Sequence, residues 1–333
     1  MGNLRRLPVW RNVVQGSFAL FLLYVGWQFA RFVAHFQSYG AEPLVPRPPS
    51  VEGFLPIGAL VALKSWLATG VFDRVHPAGL ILLLLIIGVS FLYRKGFCSW
   101  LCPVGLASEA LGRTGSWLLG TNLRLPYYLD RGLMALKYLL LAFFLKVIFL
   151  DMDGLAATAF LAAPYYKIAD VKMLLFFLNL SRTATIVLGI LALLSLVIRN
   201  FWCRYLCPYG ALLGIVSLAS PVQVRREPGL CTGCRLCDRA CPNRLEVSRS
   251  LAVHSPECTG CLDCLAACPR RGALELRVAR ASRPLRPSLF PVLLLATFVA
   301  VVAVASLAGY WQTSLTYAEY QQLIPRAAIF SHP

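Results

Sequence analysis

All twelve cysteines of the 333-residue chain fall in four short runs. Two runs share one pattern: Cys231-x2-Cys234-x2-Cys237-x3-Cys241-Pro242 and Cys258-x2-Cys261-x2-Cys264-x3-Cys268-Pro269. Three cysteines at x2 spacing wrap a tight loop around a four-iron, four-sulfide cube, and the fourth cysteine of each run reaches the other cube. One 4Fe–4S cluster is therefore expected on Cys231, Cys234, Cys237 and Cys268, and a second on Cys258, Cys261, Cys264 and Cys241. Gly233 and Gly260 give the loop backbone room to approach an inorganic core. Pro242 and Pro269 end the short helix that leads to each fourth cysteine, since proline disfavours helix at the residue before it. Zinc is the competing chemistry, but paired C-x2-C knuckles suffice for zinc. Two complete four-cysteine runs exceed that need.

The other two runs are copies of each other. Lys95-Gly-Phe-Cys98-Ser-Trp-Leu-Cys102-Pro103-Val-Gly105 matches Asn200-Phe-Trp-Cys203-Arg-Tyr-Leu-Cys207-Pro208-Tyr-Gly210 at an offset of 105 residues. Cysteines at i and i+4 share a helix face, so each C-x3-C-P pair can present two thiolates to one point. If the copies face each other, Cys98, Cys102, Cys203 and Cys207 can hold a third cluster. Redox-active or structural dithiols, another metal, and reduced buried cysteines remain open. The aromatic neighbours (Phe97, Trp100, Phe201, Trp202, Tyr205 and Tyr209) would exclude water from such a site, but they also suit a membrane interface.

Other candidates carry less. The four histidines are His35, His76, His254 and His332. His35 and His76 can in principle ligate a b-type haem or hydrogen-bond a quinone, against the plainer reading of satisfied interfacial histidines. Asp151 and Asp153 can pass protons or serve as solvated end charges. No C-x-x-C-H, dinucleotide fingerprint, phosphate loop or nucleophile elbow is present.

These residues must be positioned by a chain that is 58% hydrophobic, with a mean hydropathy of +0.66, more apolar than a soluble protein. About 20 apolar residues span a bilayer core as helix. Segments 13–34, 77–93, 131–150, 182–199 and 287–310 read as spans, and the first reads as an uncleaved signal anchor. Segments 54–70 and 155–180, interrupted by Lys64, Pro164, Lys167, Asp170 and Lys172, read as re-entrant or interfacial helices. The net charge of +17 is unevenly spread. With the N-terminus inside, the inner segments hold Arg5, Arg6, Arg11, Arg94, Lys95, Arg113, Arg124, Arg131 and the arginines from Arg199 to Arg286. The outer segments hold only Arg47, Lys64, Arg74, Lys167, Lys172, Arg182 and Arg326. This is the positive-inside pattern, so the charge argues for membrane rather than nucleic acid. The arginines around the cysteine runs (Arg235, Arg239, Arg244, Arg249, Arg270 and Arg271) suit the anionic inner leaflet first and an acidic soluble partner second.

The expected fold is an all-α polytopic membrane protein with about five spans, two re-entrant helices and an internal parallel duplication, carrying a small α+β two-cluster domain. Residues 1–107 and 108–220 form the two membrane repeats, 221–281 the cytoplasmic cluster domain, 282–310 a C-terminal span and 311–333 an exoplasmic tail suited to docking a partner subunit. The location is a bacterial inner membrane. Two C-x3-C-P motifs after spans, followed by a two-cluster ferredoxin run, resemble the NapH/NosR/CcoG-type membrane iron–sulfur proteins over residues 13–280. Two departures stand out: no exoplasmic flavin-binding domain precedes the spans, and a further span and tail follow. The resemblance implies a quinol dehydrogenase-like subunit relaying electrons between quinol or quinone, or a cytoplasmic donor, and exoplasmic redox proteins or other respiratory subunits. The alternative it allows is a redox factor for metal-cofactor assembly of another enzyme.

Overall fold

The computed structural model describes residues 6–278 and 284–331. Arg5, Arg280, Arg283 and His332, which entered the readings above, lie outside the described residues, as do the last two residues of the tail. Each of the five expected spans is helical: Leu7–Gln37, Pro77–Leu92, Tyr127–Leu145, Arg182–Val197 and Leu289–Leu307. The third runs on as a π-helical turn, Lys146–Asp151. The first, third and last are long and apolar enough to cross a membrane. The other two have 16 residues each, roughly 24 Å of helix against a core of about 30 Å. Arg182–Val197 passes the same test together with Ala169–Leu178, from which it is bent by 79°. Along these helices large apolar side chains such as Leu20, Leu23, Leu139, Leu193 and Val299 stand exposed, a surface that suits lipid rather than water. The interrupted stretches form shorter helices, Pro56–Thr69, Gly154–Ala162, Pro164–Lys167 and Ala169–Leu178.

The chain condenses into two compact units. The first gathers Met1–Ala19, Ile86–Leu141 and Val187–Val299; the second gathers Leu20–Leu85, Ala142–Ile186 and Ala300–Pro333. Each of the five apolar helices starts in one unit and ends in the other, alternating along the chain. The units therefore cut across the sequence segments.

In the first unit the two C-x3-C-P copies fold alike. Each follows a left-handed residue, Arg94 (φ 57°) or Asn200 (φ 59°). Each then makes one short turn, the helix Gly96–Trp100 or the π-helical Trp202–Leu206, before a longer helix, Pro103–Leu119 or Pro208–Leu218. Pro103 and Pro208 open those helices at the position where a missing N–H costs nothing. A Cβ on Gly115 would stand 1.7 Å from the Leu196 carbonyl oxygen, so backbones of the two copies meet without side chains between them. The cluster domain is closed by an antiparallel sheet of β1 (Val222–Arg226), β2 (Leu274–Val278) and β3 (Pro284–Leu285). β1 and β2 pair from Val222↔Val278 to Arg226↔Leu274. This pairing clamps the two ends of the cysteine-bearing segment, with Val222, Val224, Leu274 and Leu276 buried at alternate positions.

The second unit buries Phe29, Phe32, Phe36, Val51, Ile168 and Val171 against Leu315, Tyr320 and Ile324 of the tail. The tail helix Tyr317–Leu323 starts with a capping box of Thr316 and Glu319. These apolar side chains of the tail are thus buried within the chain. A buried ion network lies here too: Arg47 donates to Asp170 (2.6 Å) and to Glu52 (2.8 Å).

Candidate functional site

All twelve cysteines lie in the first unit. The two ferredoxin-type loops repeat one backbone design. Gly233 (φ 69°) and Gly260 (φ 63°) precede the second cysteine of each loop, and Arg235 (φ 56°) and Leu262 (φ 63°) follow it. Two left-handed residues around one cysteine curl successive N–H groups inward, the geometry of an anion-binding nest. Short helices, Leu236–Ala240 and Asp263–Ala267, then carry the third cysteines, Cys237 and Cys264. Cys241 and Cys268 close those helices in extended conformation, each ahead of its proline.

Cys241, Cys258, Cys261 and Cys264 line one cavity, which joins the fourth cysteine of the first run to three of the second. The Leu245 N–H donates to Cys241 Sγ at 3.4 Å. Burial pushes the Cys261 and Cys264 thiols well up from the ordinary range. In the other set, Cys237 and Cys268 lie within electrostatic range of each other, and burial raises Cys237 to about 11. Cys234 is exposed, and donation from the Leu236 N–H lowers its thiol. Among the described residues no three His, Cys, Asp or Glu side chains converge on a single ion. Sulfurs spread around a cavity fit a polynuclear core better than one zinc. The four cysteines around that cavity therefore fit one of the clusters the motifs call for.

Cys98, Cys102, Cys203 and Cys207 line another cavity, of about 70 Å³. Cys207 caps its helix, accepting from the Gly210 N–H at 3.2 Å; Cys102 sits at the equivalent N-cap without a side-chain cap bond. A helix N-terminus favours a thiolate. A Cβ on Gly105 would stand 2.3 Å from the Cys98 carbonyl oxygen, so only glycine lets the two turns close. Burial pushes Cys98, Cys102 and Cys203 up to about 12; without a metal core they would stay thiols.

This cavity also reaches Pro242, Asn243, Glu257 and Thr259, the residues flanking Cys241 and Cys258. Both C-x3-C-P copies hold that loop directly. Ser99 Oγ donates to the Thr259 carbonyl (2.6 Å) and Trp100 Nε1 to the Gly260 carbonyl (3.1 Å). From the second copy, Arg204 donates to the Asn243 carbonyl (2.9 Å) while its other nitrogens grip Asp130 (2.9 and 2.6 Å). Trp100 and Tyr205 are fully buried, so packing and hydrogen bonding explain them better than a membrane interface.

Sequence reasoning missed the charges around this centre. Lys137 is fully buried and meets the Glu257 carboxylate at 2.6 and 2.7 Å, with the Tyr138 hydroxyl at 3.0 Å. Burial alone would raise Glu257, but Lys95 and Lys137 hold its carboxyl below the ordinary range. Arg11 bridges Glu109 (2.7 Å) and Asp263 (3.1 Å), the latter between Cys261 and Cys264. The only advance signal was a lysine inside an apolar segment, since such charges are rare without a partner.

The histidines take no part here. His35 and His76 belong to the second unit. His35 pairs with the Glu42 carbonyl (2.5 Å) and the Tyr317 hydroxyl (2.9 Å); His76 pairs with the Tyr166 carbonyl (2.8 Å) and faces Arg47 (3.4 Å). Every ring nitrogen is engaged, which leaves none for a haem iron. His254 is exposed. Asp151 pairs with Lys146 (2.6 Å), and Asp153 caps the helix Gly154–Ala162.

The family described as "4Fe-4S binding domain" matches residues 75–126 and again 183–225, the two C-x3-C-P regions, and "4Fe-4S dicluster domain" matches residues 223–270. YccM of Escherichia coli (strain K12), named for a presumptive role in electron transport, is 39% identical, covering 98% of this chain and 93% of that protein. A methylamine utilization ferredoxin-type protein, MauN of Methylorubrum extorquens, is 33% identical over 57% of this chain and 62% of its own length. The regulatory protein NosR of Pseudomonas aeruginosa is 32% identical over 44% of this chain and 20% of its own length. No solved structure matches. Cysteine runs, cavities and relatives agree: the chain belongs to the membrane-associated 4Fe–4S ferredoxin-type electron-transport proteins that include YccM, NosR and MauN.

Proposed function

We propose that the chain is a membrane electron-transfer subunit with three stations, relaying single electrons between a cytoplasmic donor or quinol and a respiratory redox partner. The observation that carries this reading is the cavity lined by Cys98, Cys102, Cys203 and Cys207, which lies against the loop bearing Cys258 and Cys261. When bound, 4Fe–4S clusters supply one-electron redox chemistry at potentials set by charge, hydrogen bonds and solvent exposure. The chain's own residues supply those controls. Lys95, Lys137 and Arg11 bring buried positive charge, Gly210 aims its N–H group at Cys207, and Trp100 and Tyr205 seal out water.

The ligand sets are Cys231, Cys234, Cys237 and Cys268; Cys258, Cys261, Cys264 and Cys241; and Cys98, Cys102, Cys203 and Cys207. The repeated family match favours the duplication behind the third set. The positive-inside charge pattern favours the five-span topology, with the cluster domain inside and the tail outside an inner membrane. Quinone remains the expected lipid-soluble partner, without an assigned pocket. Anaerobic iron and sulfide analysis tests the count: about twelve irons per chain are expected, at four per cluster. About eight on a fully loaded sample refutes the third station. A maturation factor is the second reading; deletion would then leave a target enzyme present without its metal, whereas the relay leaves it loaded but unreduced.

A further inference from the structure

The two ferredoxin-type loops differ sharply in access. The loop of Cys258 and Cys261 is covered: Gly260 and Leu262 are buried, and Ser99 and Trp100 hydrogen-bond to its backbone. The loop of Cys231 and Cys234 is open, and Thr232, Gly233, Cys234 and Arg235 are all exposed. Of the two, an electron-transfer partner in solution can approach the loop of Cys231 and Cys234. Two apolar side chains flank it, Leu230 (51% exposed) and Leu236 (40% exposed). Leu230 reaches across to Gly272, with Cδ1 3.1 Å from where a Cβ there would sit, which places the Arg270–Arg271 turn on the same face. Arg239 lies within electrostatic range of Cys234, and Arg235, Arg239, Arg270 and Arg271 are all exposed.

Of the nearby acids, Asp238 and the exposed Glu227 keep their negative charge, so two carboxylates stand against four arginines. Asp238 accepts from the Ser248 N–H (2.8 Å) and hydroxyl, Glu246 pairs with Arg249, and Glu275 pairs with Arg277. Two exposed leucines within an arginine rim, centred on the one accessible cysteine loop, form a small patch of the kind that weak redox encounters use. Its charge selects an acidic partner and speeds encounter by steering.

Resting on the electron-transfer reading, we propose that this face is the docking site for an acidic, soluble one-electron carrier protein, which exchanges electrons with the cluster on Cys231, Cys234, Cys237 and Cys268. A lipid surface would also attract arginines, but it would have no reason to centre on the one accessible cysteine loop.

The test uses the iron-loaded full chain in nanodiscs of zwitterionic lipid, with reduced flavodoxin as the acidic carrier. Stopped-flow absorbance follows oxidation of the flavin hydroquinone to semiquinone as a cluster gains one electron. The second-order rate is expected to fall at least about tenfold when NaCl rises from about 50 to about 500 mM, as screening shortens. The double variant Arg239→Glu/Arg271→Glu is expected to lose about as much at low salt. Reduction of its clusters by dithionite should be unchanged, which shows them intact. The proposal is overturned by carrier rates insensitive to both salt and charge reversal, or by a variant that loses only affinity for anionic vesicles, which would make the face a lipid contact. A wild-type sample that binds no iron would instead remove the underlying electron-transfer reading.

Discussion

Lys137 and Glu257 join a helix of the membrane unit to the residue just before Cys258. Lys137 is fully buried and Glu257 nearly so, with nitrogen–oxygen distances of 2.6 and 2.7 Å. Breaking a buried pair by removing one partner costs about 3–5 kcal/mol, because a charge is left without compensation. In Lys137→Met the Glu257 carboxylate keeps the Tyr138 hydroxyl and the field of Lys95, so the cost falls below that range, to about 2–3 kcal/mol. The helix itself survives, since methionine matches the lysine stem and favours helix. The cost falls on the loop: a penalty of that size raises the population of its opened form by roughly 30- to 150-fold. Anaerobic iron release to a chelator measures this population, provided the loop recloses faster than the chelator acts. Lys137→Met and Glu257→Gln should each speed release of the iron held beside Cys258, and the double variant should be slower than Lys137→Met alone. A double-mutant coupling below about 0.5 kcal/mol would refute the reasoning, for contacting charges couple by more than that.

Other consequences are as specific. Gly105→Ala places a methyl 2.3 Å from the Cys98 carbonyl, so iron content should fall from about twelve to about eight per chain while the ferredoxin-type signals persist; Gly229→Ala, which meets nothing within 4 Å, is the control. Arg204→Met removes the grip on Asp130 and Asn243 and should weaken retention of iron by the neighbouring loop, to be read as faster anaerobic bleaching; unchanged bleaching would dismiss the clamp. Donation from Lys167 holds Glu319 down at about 2 from an ordinary 4.5. A lowered carboxyl contributes stability above its unfolded value and loses it as pH falls through the folded one. Proteolytic protection of the tail helix Tyr317–Leu323 should therefore be flat above about pH 4.5 and fall toward about pH 2. Lys167→Met should shift that fall to higher pH and leave only the share the Thr316 N–H supplies, and an identical acid profile in the variant would contradict the assignment.

Some of this was legible before any coordinates, because it rests on short-range rules. Iron–sulfur ligation needs cysteines at fixed spacing in one loop, so Cys231 to Cys237 and Cys258 to Cys264 announce themselves. A lipid environment demands long apolar helices, and charge asymmetry accompanies them. Other features depend on residues far apart in sequence. Nothing local says that Lys137 meets Glu257, that Arg11 reaches Asp263, or that Trp100, typical of a membrane boundary, instead donates to Gly260. Nor could sequence tell that His35 and His76 are fully engaged by partners within their own unit, or that the tail folds back to bury Leu315, Tyr320 and Ile324.

The sequence by itself determined the chemistry, a set of iron-binding loops on an apolar helical scaffold, because spacing and hydropathy are written along the chain. Only the tertiary structure decided the path. It took backbone contacts as close as that of Gly115 with Leu196, and buried charges paired across about a hundred residues, to bring Cys98, Cys102, Cys203 and Cys207 around one cavity beside the second ferredoxin-type loop. It left the first loop facing solvent. Which cysteine loop is open and which is walled in depends on packing among distant segments, and that is not encoded in any one of them.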